Sequence, residues 1–96
     1  LPIESPHPYG NNGDCRWRYK NGKRGFSFHF TLLDMEKDYD YVYVKNGKGR
    51  VLATYTGTAT RGFDSPCINT PRGFVQMKSD AAVTGQGFKI NRVKRC

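Results

Sequence analysis

The feature that most restricts this chain is the two-residue rhythm of its apolar positions. In FSFHFTL (26–32), Phe26, Phe28, Phe30 and Leu32 fall on one side, with Ser27, His29 and Thr31 on the other. In CRWRYK (15–20), Cys15, Trp17 and Tyr19 alternate with Arg16, Arg18 and Lys20. Successive side chains of an extended strand point to opposite faces, so this rhythm describes strands with one buried side. DYDYVYVK (38–45) and RVLATYTG (50–57), joined by Asn46-Gly47-Lys48-Gly49, read as a hairpin. PRGFVQMKS (71–79) and GFKINRVKRC (87–96) supply two more strands, separated by a turn around Thr84-Gly85-Gln86-Gly87. Asn-Gly pairs at Asn12-Gly13, Asn21-Gly22 and Asn46-Gly47 suit tight hairpin turns that need φ > 0. No segment keeps a helical period over three turns with caps. The expected fold is all-β, a two-sheet antiparallel β-sandwich.

A length of 96 residues fits a single domain spanning 1–96. Only 36% of the residues are hydrophobic, but 14% are aromatic, and large rings fill a small core with few residues. No apolar run approaches the roughly 18 residues of a membrane span, and no signal peptide precedes Leu1, so the segment reads as a mature piece of a longer chain. Cys15, Cys67 and Cys96 allow at most one intrachain bridge and lack zinc-finger spacing.

Catalysis is disfavoured by what surrounds each candidate group. His29 alternates outward from a phenylalanine strand, His7 lies between prolines, and no serine or cysteine sits in a nucleophile elbow. Gly47-Lys48-Gly49 follows a strand but no helix follows it, so it cannot cradle a phosphate at a helix N-terminus. The chain reads as a non-enzyme.

The carboxylates are distributed unevenly. Although 16 lysines and arginines outnumber 8 acids, Asp34, Glu36, Asp38 and Asp40 crowd into LDMEKDYDYVYV (33–44). Gathered carboxylates repel one another unless a cation compensates. A hard divalent ion such as Ca2+ takes six to eight oxygens at about 2.3–2.6 Å. Glu36 and Asp40 with a third acid from elsewhere would suffice, and Asp80 in KSDAAVTGQGF (78–88) is the candidate. The competing reading is that these acids balance surface lysines such as Lys37 and Lys45.

The order of these pieces resembles a CUB domain, the extracellular jelly-roll sandwich of complement and tolloid-type proteases, spermadhesins and other secreted proteins. SPHPYGNNGDCRW, FHFTLLDME, YDYVYVKNG, YTG and MKSDAAVTGQGFKI carry the likeness in order, over nearly the whole chain. The resemblance implies a Ca2+ site at Glu36, Asp40 and Asp80, with Tyr9 bracing the glutamate and Asp34 or Asp38 as substitute ligands. Three departures are visible. Three residues separate Glu36 from Asp40 where the family has about seven, and Ala82 stands where the family has a serine. The family's disulfide between this loop and a Cys-Gly pair is missing from both ends, with Thr56 preceding Gly57.

Further expectations follow from the family's topology, taken to place the last strand antiparallel to the one that begins at Cys-x-Trp. Cys15 then bonds Cys96, and Cys67 is left as a thiol. A bridge implies an oxidising, extracellular compartment. Arg16, Arg18 and Lys20 would lie beside Lys89, Arg92, Lys94 and Arg95 as one basic patch, with Arg92 possible at an inward-turning bulge. A formal charge of +8 favours acidic partners. Nucleic acid is disfavoured because Trp17 and Tyr19 are committed to the core, leaving no stacking platform. Tyr41 and Tyr43 offer a small contact surface. The resulting expectation is a secreted, non-catalytic module of a multidomain protein, a protease being the kind the resemblance brings forward. It would recognise protein or glycan with a Ca2+-ordered loop. The alternative is a metal-independent module that binds acidic glycans or other polyanions through a basic sheet face.

Overall fold

The computed structural model describes residues 1–96. It contains β1 (Ile3–Glu4), β2 (Asp14–Lys20), β3 (Phe26–Asp34), β4 (Tyr41–Asn46), β5 (Val51–Tyr55), β6 (Thr58–Ala59), β7 (Phe63–Asp64), β8 (Arg72–Lys78) and β9 (Gly87–Arg95), and no helix. One sheet has the order β1-β9-β3-β6, with β7 also paired to β3; the other runs β2-β8-β4-β5. Every strand pairing is antiparallel. The expected two-sheet β-sandwich is the fold.

The core is where the alternating residues of the two sheets meet. Phe26, Phe28, Phe30, Phe88 and Ile90 of the first sheet face Val42, Val44, Val75 and Met77 of the second, all buried. Their rings pack edge to face, as in Phe26–Phe28 at 5.6 Å and Trp17–Phe88 at 5.0 Å between centroids. This geometry sets ring edges against π faces and adds about 0.5–1.5 kcal/mol per pair to the burial itself.

The alternation in β3 does not run to its end. Phe30 pairs with Ile90 and Leu32 with Lys89, so Thr31 is an extra residue in a bulge. The bulge reverses the faces beyond it, and Leu33 is buried while Leu32 is only half-buried. A second bulge at Asn91 of β9 accounts for the break in alternation at Phe88, Ile90 and Val93, but Arg92 beside it is exposed and does not turn inward as expected. Of the Asn-Gly pairs, only Asn46-Gly47 closes a hairpin between adjacent strands. There the Asn46 side chain accepts from the amides of Lys48 and Arg50. Asn21-Gly22 instead carries the chain from one sheet to the other.

The expected neighbourhood of β2 and β9 is wrong, and the expected disulfide falls with it. β2 pairs with β8 in one sheet, while β9 pairs with β1 and β3 in the other. The bridge is Cys67–Cys96, with a Cα–Cα distance of 6.0 Å, and Cys15 is an exposed free thiol. The reason lies at the entrance of β3. Ile68 exchanges backbone hydrogen bonds with Phe26 (2.7 and 3.2 Å), and the Cys96 amide donates to the Gly25 carbonyl (2.9 Å). Both cysteines are thereby held at the same strand end. Cys15 sits on the other sheet, opposite Met77.

Candidate metal centre

Three loops converge at one end of the sandwich. Between β3 and β4 the chain makes a single tight turn, in which the Glu36 carbonyl accepts from the amides of Tyr39 (3.3 Å) and Asp40 (3.0 Å). Asp38 enables the turn by adopting φ 66°. Asp and Asn tolerate this left-handed region better than most residues. The β8–β9 loop is fastened to the β1–β2 loop by the Asn12 amide on the Asp80 carbonyl (2.7 Å), the Ser79 amide on the Gly13 carbonyl (3.0 Å) and the Ser79 hydroxyl on the Gly10 carbonyl (2.7 Å).

These connections bring Glu36, Asp40 and Asp80 together, with one oxygen from each lying within 4.8 Å of the others. Asp40 is 0% exposed. Its Oδ2 accepts the Tyr9 hydroxyl proton (2.6 Å) and its Oδ1 accepts the Asp80 amide (2.9 Å). The Tyr9 hydroxyl in turn accepts from the Glu36 backbone amide (3.1 Å), so Tyr9 braces the turn through Asp40 and the Glu36 main chain, not through the Glu36 carboxylate. Burial, then the hydrogen bond to Asp40, pushes the Tyr9 phenol up to about 12.

The Glu36 carboxylate lacks compensation. Its Oε1 is buried with no hydrogen-bond partner. Burial first, then the charges of Asp80 and Asp40, raises its pKa above the ordinary glutamate value. No lysine, arginine or histidine nitrogen lies within 4.0 Å of any of the three carboxylates. Lys45 is spent on Gln76, donating to Oε1 at 2.6 Å. The cluster is therefore not a set of acids balanced by surface lysines. A buried oxygen without a donor, inside a like-charged group, is what a hard cation would satisfy. The donor set fits Ca2+.

Asp34 and Asp38 lie outside the cluster. Asp34 accepts from the Thr58 hydroxyl (3.0 Å) and the Gln86 amide (2.9 Å), tying the β8–β9 loop to the end of β3. Asp38 holds the turn through its backbone, donating to the Thr56 hydroxyl (2.8 Å) and accepting from the Tyr41 hydroxyl (2.9 Å). Thr56 joins the site although its residue type carries no metal-ligand signal. Its hydroxyl accepts from Asp38 and lies 2.8 Å from the Asp40 carbonyl and 3.2 Å from that of Glu36. It stands where the resemblance expects a disulfide cysteine, and that was the one signal available.

The candidate contact residues divide between the sheets. Arg16, Arg18, Lys20, Tyr41 and Tyr43 are on the β2-β8-β4-β5 sheet, and the two tyrosine rings stack at 6.0 Å. Lys89 and Lys94 belong to β9 of the opposite sheet, where Lys94 donates to Asp64 (3.2 Å). The single patch expected from β2 and β9 does not form.

A family profile described as "CUB domain" matches residues 3–91. The chain belongs to the CUB family. It is 35% identical over 95 residues to Neuropilin-1 of Xenopus laevis, covering 88% of this chain and 10% of that protein. To cubilin of Canis lupus familiaris it is 26% identical over 96 residues, covering 95% of this chain and 3% of that one. The chain thus spans a small fraction of the curated relatives it matches. Among solved structures, the MASP-1 CUB2 domain bound to Ca2+ superposes with a TM-score of 0.73, at 19% identity and over 93% of this chain and 87% of that one. CUB domains are extracellular binding modules of multidomain proteins. One CUB structure of the same fold thus holds Ca2+, and this CUB domain carries an acidic cluster with the donors for it.

Proposed function

We propose that this CUB domain is a non-catalytic, extracellular binding module of a larger protein, and that Glu36, Asp40 and Asp80 hold a Ca2+ ion that orders its loops for docking a protein partner. The observation that carries this reading is the buried, partnerless Oε1 of Glu36 beside two further carboxylates. Bound Ca2+ would supply a fixed double positive charge. The chain supplies the rest: Tyr9 and the Asp80 amide orient Asp40, and Thr56, at the end of β5, clamps the turn between the two ligands. With the repulsion relieved, exposed groups at the rim, Asp38 and the 65% exposed Tyr39, form a defined surface. A carboxylate there can accept a lysine or arginine of a protein, a contact worth about 1.5–3 kcal/mol. The Cys67–Cys96 bridge supports an oxidising, extracellular setting.

Isothermal titration of Ca2+ into the chelator-stripped chain tests the metal. One site is expected, with Kd on the order of 10⁻⁴–10⁻³ M, the range of extracellular modules. Asp80→Asn weakens it. A flat titration up to about ten times that range would end this reading.

A further inference from the structure

The outer face of the β2-β8-β4-β5 sheet carries a second concentration of charge, of the opposite sign. Residues directly opposite one another in an antiparallel sheet share a face, so the register fixes its rows. Lys20 of β2 stands opposite Arg72 of β8; Arg18 opposite Phe74, which pairs with Lys45 of β4; Arg16 opposite Gln76, which pairs with Tyr43. Lys78 of β8 stands between Asp14 and Tyr41. Lys48 extends the field from the β4–β5 turn, where it shares a shallow depression with Lys20 and Arg72. Asp14 is the one carboxylate in these rows, and only Arg16 among the bases has it within reach, at 3.8 Å.

Bases on a sheet have an ordinary explanation: they keep an exposed edge from pairing with another chain. That explanation covers Arg16, Arg18 and Lys20, because β2 is an edge strand. It does not cover Arg72, Lys78 and Lys45, which lie on β8 and β4, the two interior strands. An interior strand has no free edge to protect, and like charges there repel across a spacing of about 4.8 Å per strand and about 7 Å along it. One device positions a base as well. Buried Gln76 donates to Asp14 (2.7 Å) and accepts from Lys45 (2.6 Å), which fixes Lys45 over the middle of the face.

We propose that this face binds a linear sulfated glycan, and that it does so independently of the carboxylate site at the end of the sandwich. The bases repeat in two directions over a shallow surface, so that anionic groups spaced along an extended chain meet several of them at once. Arginine forks match flat or tetrahedral oxyanions bidentately, and lysines add point charge. A nucleic acid would need bases stacked on free rings, yet Trp17 is turned to the core against Phe88, Phe74 is half-buried, and Tyr41 and Tyr43, both half-buried, stack on each other. Firm membrane attachment would add apolar side chains that insert beside the bases, and of the exposed large apolar residues only Val51 borders the face.

The test is binding of a heparin oligosaccharide to the 96-residue chain in EDTA, between about 50 and 200 mM NaCl. Lys45→Glu with Arg72→Glu is compared with Lys89→Glu with Arg92→Glu on the other sheet, which changes the net charge equally. The first pair is expected to weaken binding at least about tenfold and to flatten the salt slope by about 2, against less than about twofold for the second. If the first pair does not fold, shown by loss of its thermal transition, Arg18→Gln with Lys20→Gln on the exposed edge strand replaces it, with about threefold loss expected. Equal losses from the two sheets, or no retention at the lowest salt, overturn the proposal. So does tighter binding of oligo(dT) or phosphatidylserine vesicles than of the heparin oligosaccharide.

Discussion

Replacing Glu36 by glutamine separates the two things its carboxylate does, which are to repel its neighbours without a cation and to hold one with it. Burial and the charges of Asp80 and Asp40 raise the Glu36 pKa in the folded chain. A raised folded pKa contributes stability below the unfolded value, which is lost as pH rises through the folded one. At neutral pH, metal-free, the ionised Glu36 is therefore a net cost to folding. Glu36→Gln keeps the shape and removes that charge, so its midpoint without Ca2+ should lie above wild type's. The Ca2+ response is the reverse. At about 2 mM Ca2+ and a Kd of about 0.2 mM, a site present only in the folded state adds RT ln 11, about 1.4 kcal/mol. Unfolding entropy of about 2.1 cal/mol/K per residue, over 96 residues, is about 0.2 kcal/mol/K and converts that gain to about 7 °C. At a Kd of about 1 mM the shift is about 3 °C. Differential scanning calorimetry at pH 7.4, with EDTA and with Ca2+, should show the two melting curves trading places, with wild type rising and Glu36→Gln indifferent. Wild type indifferent to Ca2+, or Glu36→Gln less stable in EDTA yet still responsive, would refute the reasoning.

Removing the Cys67–Cys96 bridge by a double serine substitution should cost about 3–4 kcal/mol for a 29-residue separation, lowering the midpoint by about 15–20 °C, whereas Cys15→Ser should change it little. His7 has an acceptor on each ring nitrogen, the Gln86 carbonyl at Nδ1 (2.5 Å) and Glu4 Oε1 at Nε2 (2.6 Å), so only the imidazolium can donate to both. Its pKa is raised above 6.5, first by the bond to Gln86 and then by that to Glu4. Its contribution is complete below about pH 6.5 and fades as pH rises through the higher folded value; thermal midpoints from pH 6 to about 8.5 should show a decline that His7→Gln removes. Thr56→Val keeps the volume but deletes the hydroxyl that ties Asp38, Asp40 and Glu36, and calorimetry should read a loss of about 1–3 kcal/mol together with weaker Ca2+ binding.

Period-two alternation is enough to find the main strands, because their inward residues are mostly large and apolar while their outward ones are polar or charged. It fails at Thr31, where one inserted residue changes the count unannounced; at Asn91 the broken alternation of Phe88, Ile90 and Val93 does mark a bulge, although Arg92 stays exposed and does not turn inward. Charge density alone pointed to Glu36, Asp40 and Asp80, the three acids that the loops bring together. It could not separate them from Asp34 and Asp38, whose carboxylate and backbone serve other bonds. Strand pairing is the part of the fold least legible in the sequence. Which sheet β2 joins depends on nonlocal contacts, and with β2 assigned beside β9 both the cysteine partner and the basic patch were misplaced together. Of the bases expected together, only Arg16, Arg18 and Lys20 share a face; their neighbours there are Arg72, Lys78 and Lys45 of β8 and β4, not the bases of β9.

The short turn and the absence of the disulfide that the resemblance implies have one physical account. A loop of about seven residues between two ligands is costly to hold in place, and a covalent tie reduces that cost. With three residues between Glu36 and Asp40, closure is cheaper by about 0.7 kcal/mol on chain statistics alone. The turn also hydrogen-bonds to itself, Asp40 and Tyr39 both donating to Glu36. What remains is to fix its orientation against the sheet, and Thr56 does so from the expected cysteine position through bonds of about 1 kcal/mol each. These contributions together are comparable to the lower part of what a disulfide typically supplies, about 2–4 kcal/mol. A thiol stranded at either position would have brought an oxidation hazard without this gain, which is a physical reason for both halves of the pair to be absent together.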